Sequence, residues 1–102
     1  MTENKKSSAE FAMPEINFTT FLLSLNSSAL VNLGIQTDPT SGSTSENLPL
    51  AKQTIDIIAM LEQKTQGNLE NDEKRLLTHI LYELRLLYVK QKEKQKILLL
   101  LL

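Results

Sequence analysis

The sequence predicts an all-α fold: a small three-helix domain made of an antiparallel helical hairpin with one N-terminal helix packed on it. Two observations predict it. Apolar residues recur three and four positions apart in three segments, the spacing that gathers them on one face of a helix. Each segment is bracketed by residues that start or stop helices, and nowhere does the two-residue alternation of a half-buried strand appear.

Residues 1–16 are polar, with Lys5-Lys6-Ser7-Ser8 followed by Pro14. They hold too little apolar content to fold alone and read as a disordered tail. The first helix is expected over residues 17–33. Asn17 offers a side-chain oxygen to the orphan N–H groups of the first turn. Phe18, Phe21, Leu22, Leu25, Ala29 and Leu33 form its core face, and Gly34 ends it. Residues 35–47 are a loop, with a turn at Asp38-Pro39 and a flexible run from Ser41 to Ser45. It lacks the Gly-Lys-Ser/Thr ending of a phosphate loop, so no nucleotide role is assigned.

The second helix is expected over residues 48–66. Asn47 is its cap, and Pro49 sits in the first turn, where a missing N–H costs nothing. Its core face is Leu50, Ala51, Thr54, Ile57, Ile58, Leu61 and Thr65, and Gly67 terminates it. The short turn Gly67-Asn68-Leu69 makes the third helix antiparallel to the second. That helix starts near Asn71, with Asp72 and Glu73 complementing the helix dipole. Leu76, Leu77, Ile80, Leu81, Leu84, Leu87 and Tyr88 form its core face. The domain is thus expected over residues 17–89. Residues 90–102 are an extension, basic at first (Lys90, Lys92, Lys94, Lys96) and then apolar from Ile97 onward.

With 102 residues the chain has room for one domain, whose lone core is marginal. The absence of cysteine excludes disulfides, thiol catalysis and thiolate metal sites, and fits a reducing compartment. The net charge of −1 hides an asymmetry. Residues 1–73 carry four Lys and ten acidic residues, a balance of −6, whereas residues 74–102 carry seven basic and two acidic residues, a balance of +5. The apolar stretch from Phe18 to Ile35 is interrupted by Thr, Ser and Asn, too polar for a signal sequence or a membrane span, and a cytoplasmic location is expected.

Catalytic and cofactor chemistry find little footing. His79 is the single histidine, placed for a modest surface contact with Glu83. Asp56 is expected to pair structurally with Lys52 or Arg85, since no second carboxylate has a defined relation to it. Gly67 and Asn68 read as a helix-ending motif rather than an anion nest. No metal, cofactor or catalytic residue is therefore assigned, and no enzymatic activity is expected. Nucleic-acid binding is not expected either, because the basic third helix lacks interleaved aromatics and any recognition motif.

The apolar surplus is more informative. Tyr82, Leu86 and Val89 lie opposite the core face of the third helix. Ile55 and Met60 stand off the core face of the second, and Leu23 and Leu30 off that of the first. Aligned apolar residues that a bundle cannot bury mark an interface. A self-associating interaction module is expected, with a dimer the favoured assembly. An unidentified protein partner is an alternative occupant. A competing reading places Lys90–Leu102 on an anionic membrane surface, although six apolar residues reach only about 9 Å as helix.

Several stretches also resemble a known family. They are Ser24-Leu25, Ala29-Leu30, Leu33-Gly34 and Asp38-Pro39, then Ala51-Lys52-Gln53-Thr54-Ile55-Asp56 and Met60-Leu61, then Leu81-Tyr82-Glu83-Leu84-Arg85. The most specific is Lys64-Thr65-Gln66-Gly67-Asn68-Leu69. Together they resemble the bacterial domain-of-unknown-function family numbered eighteen forty-four, over roughly residues 18–89. Where that family has Thr-Pro at the cap of the third helix, this chain has Glu70-Asn71. The resemblance implies bacterial origin and the helix boundaries, and implies no activity.

Overall fold

A computed structural model describes residues 15–102. The tail expected over residues 1–16 therefore lies outside the described residues, apart from its last two, which are exposed. Among the described residues there are three helices: α1 (Phe18–Asn32), α2 (Leu48–Lys64) and α3 (Asn71–Leu101). All three pack against one another.

The caps explain where the helices begin and end. The Asn17 side chain accepts from the Thr20 N–H at 2.9 Å, and Thr20 Oγ1 accepts from the Asn17 N–H at 3.2 Å. This reciprocal box satisfies two orphan donors. Asn47 caps α2 with a single bond, accepting from the Leu50 N–H at 3.1 Å, with Pro49 in the first turn. At α3, Glu70 caps the helix start: its N–H donates to Glu73 Oε1 at 2.9 Å. Both helix-ending turns use left-handed glycines, Gly34 at φ +78° and Gly67 at φ +79°. A side chain at either would strain the backbone.

The core is built from Leu22, Ala29 and Leu33 of the first segment, Leu48, Ala51, Ile55 and Ile58 of α2, and Leu77, Ile80, Leu81 and Leu84 of α3. Two expected core faces are rotated. In α2 the buried stripe runs through Leu48, Ala51, Ile55 and Ile58, so Ile55 is inside at 5% exposure, and Leu50 and Ile57 face outward. In α1, Phe21 and Leu22 sit about 100° apart on the helix. Leu22 takes the centre of the contact and Phe21 is left half-exposed.

The loop after α1 is more ordered than its composition suggests. Leu33 and Glu46 form an antiparallel bridge, and the Asn47 N–H donates to the Asn32 carbonyl at 2.8 Å. Helix α3 continues without a break past Val89 and fastens this loop. Gln91 Nε2 donates to the Leu33 carbonyl at 2.6 Å and to Glu46 Oε2 at 3.0 Å, and Gln95 Nε2 reaches Glu46 Oε1 at 3.4 Å. The first turn beyond Val89 is therefore part of the packed structure.

Leu33 is fully buried, so its carbonyl depends on that amide donor. Gln91→Ala should lower unfolding stability by roughly 1–3 kcal/mol, the cost of a polar group left without its partner. Gln95→Ala, which removes a longer and exposed contact, should change it by less than about 0.5 kcal/mol. Paired urea titrations check the difference.

Candidate functional site

The candidate surface is the outer face of α3. At about 100° per residue, the buried residues Leu77, Ile80, Leu81 and Leu84 point one way, and Tyr82, Leu86 and Val89 point the other. These three are 64%, 41% and 60% exposed. They follow one another at spacings of four and three, so they form a continuous stripe rather than scattered apolar residues. Arg75 and His79 extend it toward the helix start and Glu93 toward its end, all exposed.

The remaining expected interface residues divide. Ile55 belongs to the core, as described above, and offers no surface. Leu30 is half-buried and packs against the core. Leu23 on α1 and Met60 on α2 are exposed, one on each helix. On α2, Leu50 and Ile57 are exposed on the same side as Met60, at spacings of seven and three, but the α3 set holds the two most exposed of these residues, Tyr82 and Val89.

The polar residues singled out in the sequence have local roles. Asp56 pairs with Lys52 at 2.9 Å, one helical turn away and largely in solvent. That hydrogen bond, then the Asp56 charge, raises the Lys52 pKa. Such an exposed pair adds little stability. Arg85 and His79 are exposed. Gly67 supplies the left-handed turn, and the Asn68 N–H closes it on the Thr65 carbonyl at 2.9 Å.

Two hollows adjoin the first half of α3. One, of about 430 Å³, lies between the end of α2 and the start of α3 and includes Glu62, Thr65 and Lys74. The Thr65 hydroxyl is engaged, donating to the Leu61 carbonyl at 2.6 Å. The other includes Arg75, His79 and Tyr82; all its lining residues lie on one convex helix, so it is a notch in the stripe rather than a cavity. Among the described residues, no group of three His, Asp or Glu side chains is placed to hold a metal ion. No helix among them is long and apolar enough to cross a membrane.

A family model, the domain of unknown function DUF1844, matches residues 15–90. The chain belongs to this family. No curated protein and no solved structure matches it. The DUF1844 match contains the whole of Tyr82, Leu86 and Val89, and it stops one residue before Gln91. The stripe thus lies in the family's domain, whereas the Gln91–Glu46 fastening and the leucine run lie partly or wholly beyond the match.

The sequence pattern did contain a signal for that fastening. Gln91 and Gln95 continue the core-face series of Leu77, Leu81, Leu84 and Tyr88, but as amides they do not register as core. Another polar anchor sits in the loop. Asp38 Oδ1 accepts from Thr40 Oγ1 at 2.7 Å and from the Thr40 N–H at 2.9 Å. The Thr40 hydroxyl, then its N–H, holds the Asp38 carboxyl below its ordinary value. The folded form thus favours the ionised acid. Its stabilising effect is present above the ordinary carboxylate pKa and is lost as pH falls through the lowered one. Thr40→Ala should move the Asp38 titration midpoint upward in an NMR pH series.

Proposed function

We propose that this DUF1844 chain is a non-catalytic interaction module that works by associating with a second copy of itself, in the bacterial cytoplasmic setting its composition and resemblance suggest. One observation carries the reading: Tyr82, Leu86 and Val89 stand exposed and aligned on the face of α3 opposite the core. Each is about half-exposed, so covering it would contribute about half of the ~1.5–3 kcal/mol gained by burying a fully exposed side chain. A two-fold axis doubles the set, because the same patch serves both protomers. The total is comparable with the whole folding stability of a small domain.

Leu86→Lys and Tyr82→Lys should each shift the protein from dimer toward monomer, by light scattering at micromolar concentration, with the helical circular dichroism retained. An unchanged mass in both would take those residues out of any interface.

A second reading rests on a different observation. Ile97 to Leu102 are all at least half-exposed and, as consecutive helical residues, cover the full circumference. Lys90 and Lys94 precede them on one side and Lys92 and Lys96 on the other. Such an end suits end-on contact with an anionic bilayer, with ammonium groups at the headgroups and leucines just below. Flotation with phosphatidylserine-containing vesicles should recover the intact chain and lose most of a variant with serine at Leu98, Leu99, Leu100 and Leu101. Equal flotation of the two would reject membrane contact.

A further inference from the structure

Resting on the self-association proposed above, we infer that the second copy docks antiparallel along α3, with the two-fold axis level with Leu84. The stripe positions are Arg75, His79, Tyr82, Leu86, Val89 and Glu93. Their successive spacings alternate four and three, the pattern that keeps a seam facing a partner helix. This series reads the same in both directions. An antiparallel copy therefore sets Tyr82 opposite Leu86 of the second copy, His79 opposite its Val89, and Arg75 opposite its Glu93, with every pair occurring twice.

Charge selects this orientation. Arg75 is held by Asp72 at 2.7 Å through one guanidinium nitrogen. Its fork has further donors for a second carboxylate. A parallel copy in register would instead oppose Arg75 to Arg75 and Glu93 to Glu93. The ends of the helix agree. Its first turn carries Asp72 and Glu73, and its far end carries Lys90, Lys92, Lys94 and Lys96. Antiparallel docking brings the acidic start of each copy beside the basic stretch of the other, whereas parallel docking stacks the lysines together. It also lays the part of α3 that outruns its own bundle along the bundle of the second copy.

The chain contains no cysteine, so introduced thiols report position without interference. His79 and Val89 lie about 15 Å apart within one helix, too far for an internal disulfide. Under mild oxidation, an equal mixture of His79→Cys and Val89→Cys chains should give covalent heterodimers, and neither variant alone should link to itself. Arg75→Glu should weaken the dimer about tenfold by sedimentation, and adding Glu93→Arg in the same chain should restore it to within about twofold. Self-linking of His79→Cys or Val89→Cys alone would mean a parallel pair and overturn this orientation. A dimer by mass that links in no combination would place the contact on another face and overturn it too, leaving self-association standing. A monomer at every concentration would remove both.

Discussion

The structure is governed by a mismatch in helix length. Helix α3 has 31 residues, against 15 in α1 and 17 in α2. At the α-helical rise these are ~46, ~22 and ~25 Å. Packed side by side, the two short helices cover one face of part of the long one, and among the described residues the rest of it is left exposed. The exposed far end of α3 follows from that mismatch, and the outer stripe from the packing of both short helices on its opposite face. The core follows from it as well: it sits where all three helices overlap, from Leu77 to Leu84 on α3, and thins beyond Tyr88.

Where apolar packing runs out, amides replace it. Gln91 and Gln95 occupy the positions that continued core spacing would give to leucine. They hold the loop after α1 through the Leu33 carbonyl and the Glu46 carboxylate. The Leu33 carbonyl is an orphan of the α1 terminus, and a long-range side-chain donor satisfies it. This contact turns two turns of α3 from a free rod into a strap across the loop, and so fixes the direction in which the remaining helix leaves the domain.

The candidate site is a surface, on which Arg75 pairs with Asp72. Elsewhere polar groups pair locally, as Lys52 with Asp56, or serve turns, as Asp38 with Thr40. The aligned apolar stripe on the longest helix is the feature on which the proposed interaction role rests. Membership of the DUF1844 family sets the boundaries of the domain and leaves its activity to be derived from that surface.

By itself the sequence determined what depends on near neighbours. Asn17, Asn47, Gly34 and Gly67 mark the helix limits because caps and left-handed turns are local chemistry, satisfied within a few residues. It determined the outward stripe of α3 too, since Tyr82 and Leu86 lie opposite a core face dense enough to be unambiguous. Only the tertiary structure decided between competing faces. In α2, Ile55 and Ile57 are equally apolar and lie about 200° apart on the helix. The packing of α1 and α3 chose Ile55 for the core and left Ile57 outside. It alone joined Gln91 to Leu33, 58 positions apart, because core spacing puts Gln91 on the inner face without naming the distant group it meets.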